Sequence, residues 1–323
     1  MTRLSRWNHI GDVHGLMSGL SDSIREMEAK GLITLPDLRT CPVLFVASDY
    51  GGQHSTSTYE SLSFVFANLE ECGYWNDERE ELRREYLPDG RRMSYKNLND
   101  NKRKDALFPF LLAANHIPGL SVTFLVNKSI NSLFLKEGRL RVPELAHWSR
   151  PSVEKLLRVL HIISMFIEGL SAPRQNVFWF TDQDEIVPNP EKLTEVNQLL
   201  AHISSHYLTH DMGDLRCGTT ECDDGSRLIE DFVSVPDLIA GALSEVLNNN
   251  REIDNDPTAI GRIRTLERLS LKTRMILAWF KDSTQPLRRI VCVFDPSRIS
   301  RDKLSTRWIQ FHSAQQSSVN SAH

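Results

Sequence analysis

The sequence contains no long hydrophobic run. None of its apolar stretches approaches the roughly 20 residues that a membrane-spanning helix needs. Five cysteines in 323 residues form no disulfide-like framework, which fits a reducing compartment. The first 15 residues lack the apolar stretch of a secretory signal. There is no Walker or Rossmann glycine loop, no Gly-x-Ser-x-Gly elbow and no cysteine-nucleophile signature. Nor is there a surplus of positive charge. Lys and Arg number 38 against 42 Asp and Glu, a net charge of −4 with His neutral, so no global field draws the chain to nucleic acid or membrane. Any nucleic-acid contact must come from local basic patches. Internal repeats are also missing. These absences predict a soluble, cytoplasmic protein built as one large domain or one domain with appendages.

What is present is the composition of an ordinary globular chain, 40% hydrophobic and 25% charged. The organising stretch is 43–52, VLFVASDYGG. A short apolar run rich in β-branched and aromatic residues and closed by two glycines predicts a buried strand. Asp49 stands near its end. A carboxylate there must be paired, hydrogen-bonded or bound to a cation, because burying it bare is costly. Two later stretches carry acids in similar places. Residues 177–184 (VFWFTDQD) end in Asp182 and Asp184, and in 228–243 (LIEDFVSVPDLIAGAL) Asp237 follows Pro236, where the pattern predicts a helix start.

The rest of the chain fills in around these. Helical spacing covers 16–32, so residues 1–40 read as an N-terminal helical arm. Strands are expected at 58–69, 91–98, 121–126, 177–182 and 214–220, with a hairpin at 132–142. Helices are expected at 70–87, 102–115, 151–170 and 190–208. The helix before 177–182 implies a crossover and parallel pairing. The polar stretch 248–257 marks a boundary. Beyond it a helix (260–280) and a strand (289–294) form a small C-terminal extension over 251–312, and 313–323 has the composition of a disordered tail.

Hard carboxylate oxygens suit Mg²⁺ or Mn²⁺. Asp49 is the candidate bridging ligand, Asp182 and Asp237 flank it, and Asp184 is a fourth. Each also has a plainer reading: a turn cap at Asp49, a strand-end loop at Asp182 and Asp184, a helix-dipole partner at Asp237. Arg83, Arg84, Arg91, Arg92, Lys96, Lys102, Arg103 and Lys104 form a basic strip that either binds phosphates or is a solvated face. Lys96 stands out, on a strand expected beside the acids. His206 and His210 at i, i+4, with Cys217 and Cys222, are a rival set that zinc would accept. Gly11-Asp12-Val13-His14-Gly15 matches the first metal motif of phosphoprotein-type metallophosphatases, but their later motifs are absent, so a turn before a helix is the better reading.

The order of elements resembles the RNase H-like nuclease and integrase superfamily, in which antiparallel strands one to three are followed by parallel strands. Its acids come from the first strand, the fourth strand and a later helix. More narrowly, Ser48-Asp49-Tyr50-Gly51-Gly52, the Lys96 segment and Pro236-Asp237-Leu238-Ile239-Ala240-Gly241 are similar to motifs of uncharacterised bacterial families whose first motif reads Asp-Glu-Ser-Gly. The resemblance spans about residues 40–250. It implies an α/β fold with an RNase H-like mixed sheet flanked by helices, and Mg²⁺- or Mn²⁺-dependent cleavage of DNA or RNA with Asp49, Asp182, Asp237 and Lys96 as catalytic residues. One departure is Tyr50, where the family has a glutamate. Glu60, Asp184, Glu230 and Asp231 are the acids available to compensate. The alternative is a catalytically idle RNase H-like module that binds a protein partner.

Overall fold

A computed structural model describes residues 5–10, 13, 15–54, 57–134, 145, 147–183, 186–249, 269–282, 284–297 and 304–309. The chain is α/β. Its strands are β1 (Val43–Gly51), β2 (Tyr59–Asn68), β3 (Gly119–Asn127), β4 (Asn176–Thr181), β5 (Leu215–Thr219), β6 (Leu287–Pro296) and β7 (Leu304–Ile309). They form a seven-stranded mixed sheet in the order β5-β4-β1-β2-β3-β6-β7. The flanking helices are α1 (Leu16–Ala29), α2 (Gly73–Tyr86), α3 (Asn101–Ala114), α4 (Arg150–Leu170), α5 (Pro190–Ser204), α6 (Leu228–Asn249) and α7 (Leu271–Phe280). The chain divides into two compact units, residues 1–46 with 131–222, and 47–130 with 223–323. Among the described residues no helix is long and apolar enough to cross a membrane.

The first unit is built on α4. Its N-cap Ser149 accepts the Ser152 N–H and a proline occupies its first turn, where a missing N–H costs nothing. The helix is buried along most of its length, so its charged Glu154 and Arg158 are paired with each other at 3.0 Å. Residues N-terminal to α1 pack onto it. The Trp7 indole meets Phe166 edge-on at 5.1 Å and donates to Ser21 Oγ at 2.9 Å. Its ring fills the space left by Gly169, where a Cβ would collide with it. β4 pairs in parallel with β5, Val177 opposite Leu215, through the crossover helix α5.

In the second unit β2 runs antiparallel to β3, with Ser63 opposite Thr123 and their hydroxyls 2.8 Å apart. β6 pairs in parallel with β3, and β7 closes antiparallel on β6. Helix α2 presents Trp75 to Phe110 of α3 and Phe232 of α6, edge-on at 5.7 and 5.6 Å. Buried Arg79 and Arg83 of α2 both reach Asp231 of α6.

Two expectations are corrected by the structure. Residues 91–98 form no strand; Tyr95–Asn97 is a short 3₁₀ turn. Among the described residues Asp182 follows the fourth strand. Asp237 does not begin a helix, since α6 starts at Leu228 and carries Pro236 in its interior. Strand β7 is an addition. Most of the expected hairpin, the boundary segment and the C-terminal tail lie outside the described residues, as do Asp12, His14 and Asp184.

Candidate functional site

In β1 successive side chains point to opposite faces. Ser48 and Tyr50 take one face, Asp49 and Gly51 the other. Tyr50 is buried, its hydroxyl 2.9 Å from Ser48 Oγ and its ring edge-on to Phe64 at 6.4 Å. Tyr50 thus lies on the face opposite Asp49. On that face Gly51 backs onto α6: a Cβ built on it lies 2.9 Å from Ser244 Oγ and 3.1 Å from the Ala240 carbonyl oxygen. Strand and helix meet there through backbone, which any larger residue would wedge apart. Asp49 stands two residues before this approach and Asp237 three residues before Ala240. Both are half-buried.

Asp237 is anchored to the Tyr95 turn. Its Oδ2 accepts the backbone N–H of Tyr95 at 2.8 Å. The Tyr95 hydroxyl donates to Glu245 Oε2 and lies 2.6 Å from Thr273 Oγ1. Lys272 Nζ donates to the Tyr95 carbonyl at 3.0 Å and sits 4.2 Å from the ring centre. Gly241 leaves the space into which the Tyr95 ring fits. Asp237, Gly241 and Glu245 are spaced i, i+4, i+8, one stripe of α6. Burial, reinforced by Glu245, raises the Tyr95 phenol above its ordinary value. Burial lowers the Lys272 ammonium, with Glu245 and Asp237 opposing. Lys96, next in the chain, is exposed on this turn, not on the expected strand.

The basic strip is largely committed to internal partners. Arg83 makes a two-pronged pair with Asp231, 2.6 Å at each contact. Arg91 binds Asp89 and Asp100, Lys102 binds Asp89, and Arg103 binds Asp100. Of the acids proposed to compensate for Tyr50, Asp231 is committed to its two arginines, and Glu230 pairs with Arg227 at 2.6 Å. Glu60 lies in β2, opposite Val126.

In the first unit Asp182 directly follows β4, half-buried, and accepts the Thr220 hydroxyl at 3.1 Å. The proposed zinc residues are not arranged as their spacing suggested. Helix α5 ends at Ser204, so His206 and His210 share no helical face. Cys217 is buried and Cys222 exposed. His210 instead lies between Ser171 and Glu168, its Nε2 3.1 Å from Ser171 Oγ and its Nδ1 3.3 Å from Glu168 Oε2. This is the order of a nucleophilic serine, its base and an orienting acid. Ser171 is 0% exposed, however, so no substrate reaches its oxygen. The row of contacts ties the segment after α5 to the end of α4.

Sequence reasoning singled out Asp237 and Lys96 but missed Tyr95, Glu245 and Lys272. The available signal was the i, i+4, i+8 stripe of Asp237, Gly241 and Glu245, whose glycine marks a close approach. Among the described residues no group of three or more His, Cys, Asp or Glu side chains is arranged to hold a metal ion. That disfavours zinc, which takes three or four protein ligands. Mg²⁺ commonly needs only one or two carboxylates, completing its shell with water and substrate phosphate, and the half-buried carboxylates Asp49 and Asp237 fit that requirement in donor chemistry. No protein-family model matches the chain, and no curated protein is similar to it in sequence.

Proposed function

We propose that this protein is an RNase H-like, metal-dependent nuclease that hydrolyses phosphodiester bonds in DNA or RNA. The observation that carries the reading is the contact of the Asp49 strand with the Asp237 helix through Gly51 and Ala240. It brings the end of the first strand against a late acid-bearing helix, the pairing of elements that the superfamily uses. The strand pattern adds support, with β2 and β3 antiparallel and β4 and β5 parallel. Asp49 and Asp237 would hold Mg²⁺ or Mn²⁺, with water and substrate phosphate completing the shell. A divalent ion bound there would supply activation of water and neutralisation of charge on the departing oxygen. Lys96 would contact the scissile phosphate as a point charge. The other cations of the strip are mostly paired, so few of them remain to hold nucleic acid.

One observation favours the second reading, an idle module that binds a protein partner. Asp237 Oδ2 already accepts a backbone N–H, so part of that carboxylate serves the fold. Calorimetric titration of Mn²⁺, with nuclease assays on the same samples, separates the two readings. Binding and cleavage that are both lost in Asp49→Asn support the nuclease. Intact protein that neither binds nor cleaves supports the idle module.

A further inference from the structure

Tyr95 is held at every polar atom it has. Its N–H goes to Asp237, its carbonyl receives Lys272, and its hydroxyl reaches Glu245 and Thr273. Its ring lies under the Lys272 ammonium and in the notch left by Gly241. The outer partners are fixed in turn. Glu245 Oε1 accepts the Ser270 N–H at 2.7 Å and its Oε2 accepts the Ser270 hydroxyl at 3.0 Å, while Ser270 caps α7 by accepting the Thr273 N–H. Two helices, α6 and α7, therefore grip one residue of a three-residue turn.

A turn this short has little rigidity of its own, and its position here is set by contacts from two helices. Its neighbours suggest the purpose. Asp237, at one end, is a candidate metal ligand. Lys96, one peptide bond further along, is the exposed cation of the same turn. A lysine on a free turn would lose much of its value in positioning a phosphate, because its orientation would have to be fixed during each reaction.

We propose that Tyr95 is the positioning residue of this site, holding the Asp237 carboxylate and the backbone from which Lys96 projects in a fixed relation through Asp237, Lys272 and Glu245. The inference rests on the nuclease reading and deepens it. The hydroxyl–Glu245 link keeps the turn seated. The Asp237 link converts that seating into a fixed carboxylate, and Lys96 leaves the chain at the next residue.

The test compares wild type, Tyr95→Phe, Tyr95→Ala and Lys96→Met in four measurements: Mn²⁺ affinity by calorimetry, kcat and KM for cleavage, melting temperature, and amide exchange across residues 93–98. Tyr95→Phe keeps the ring and loses only the hydroxyl. It should stay folded, speed exchange in the turn, and weaken both Mn²⁺ affinity and kcat by about tenfold with KM unchanged, the scale expected for residues that orient ligands. Tyr95→Ala should be worse on every count. Lys96→Met should lower kcat and leave Mn²⁺ affinity untouched. A Tyr95→Phe protein with a lowered melting temperature but wild-type Mn²⁺ affinity and kcat would overturn the inference, leaving Tyr95 a structural anchor. Wild-type protein that binds no Mn²⁺ would overturn the nuclease reading itself, and this inference with it.

Discussion

His161 is a half-buried histidine of α4. Its Nδ1 lies 2.6 Å from the Tyr207 hydroxyl and its ring stacks on Phe134 at 4.2 Å. Burial, with His206 adding to it and Glu154 opposing, lowers its pKa from 6.5 to about 4. Between those values the unfolded chain holds the proton and the folded one does not. Stability from this site is therefore complete above pH 6.5 and declines as pH falls toward 4, by on the order of 3 kcal/mol. Thermal denaturation from pH 7 to 4.5 should show a shallower loss for His161→Gln than for wild type; parallel curves would refute the assignment. Asp231 is a different case. It is 1% exposed and sits between two buried guanidinium groups. Asp231→Asn would leave the Arg83 guanidinium without this carboxylate and Arg79 with exposed Glu80 alone, and a cost of about 3–5 kcal/mol should appear in the urea midpoint. Asp89→Asn, which breaks exposed pairs with Arg91 and Lys102, should barely move it.

At the scale of elements, α6 is the piece on which most depends. Replacing an exposed helical glycine by alanine ordinarily stabilises by about 1 kcal/mol, and Gly19 in α1, with open space at its Cβ, should behave that way. Gly241→Ala should do the opposite, destabilising by roughly 1–3 kcal/mol, because the new methyl overlaps the Tyr95 ring. Paired melting curves for the two variants check this, and a shift of the same sign in both would contradict it. The same helix shows where reading the sequence fell short. Pro236 suggested a first turn, but the apolar stripe continues upstream to Leu228, and packing of Phe232 against Trp75 secures the part before the proline. Residues 91–98 alternate as a strand does, yet Met93 is buried and Tyr95 is drawn to α6 and α7, so long-range side-chain contacts override the local pattern. Strand β7 went unread because its mostly exposed or half-buried residues lack an apolar signal. Strands β1, β2, β3 and β4 and helix α4 were legible because their apolar runs are long relative to the breaks between them.

For the molecule as a whole, the alternation of apolar strands and helices was enough to read an α/β sheet, and the acid at the end of β1 was legible as a candidate. The approach of β1 to α6 was not, because the residues that make it, Gly51 and Ala240, have little or no side chain to announce a contact. The notch that receives Tyr95 was hidden for the same reason. The central claim, a divalent metal centre that cleaves nucleic acid, rests on the carboxylate that β1 brings to that approach. The most direct measurement is calorimetric titration of Mn²⁺ into folded wild type and folded Asp49→Asn, with DNA and RNA cleavage followed on the same samples. The account predicts Mn²⁺ binding and cleavage in wild type and loss of both in Asp49→Asn. Cleavage that persists in Asp49→Asn, or wild-type protein that binds no Mn²⁺, would contradict it.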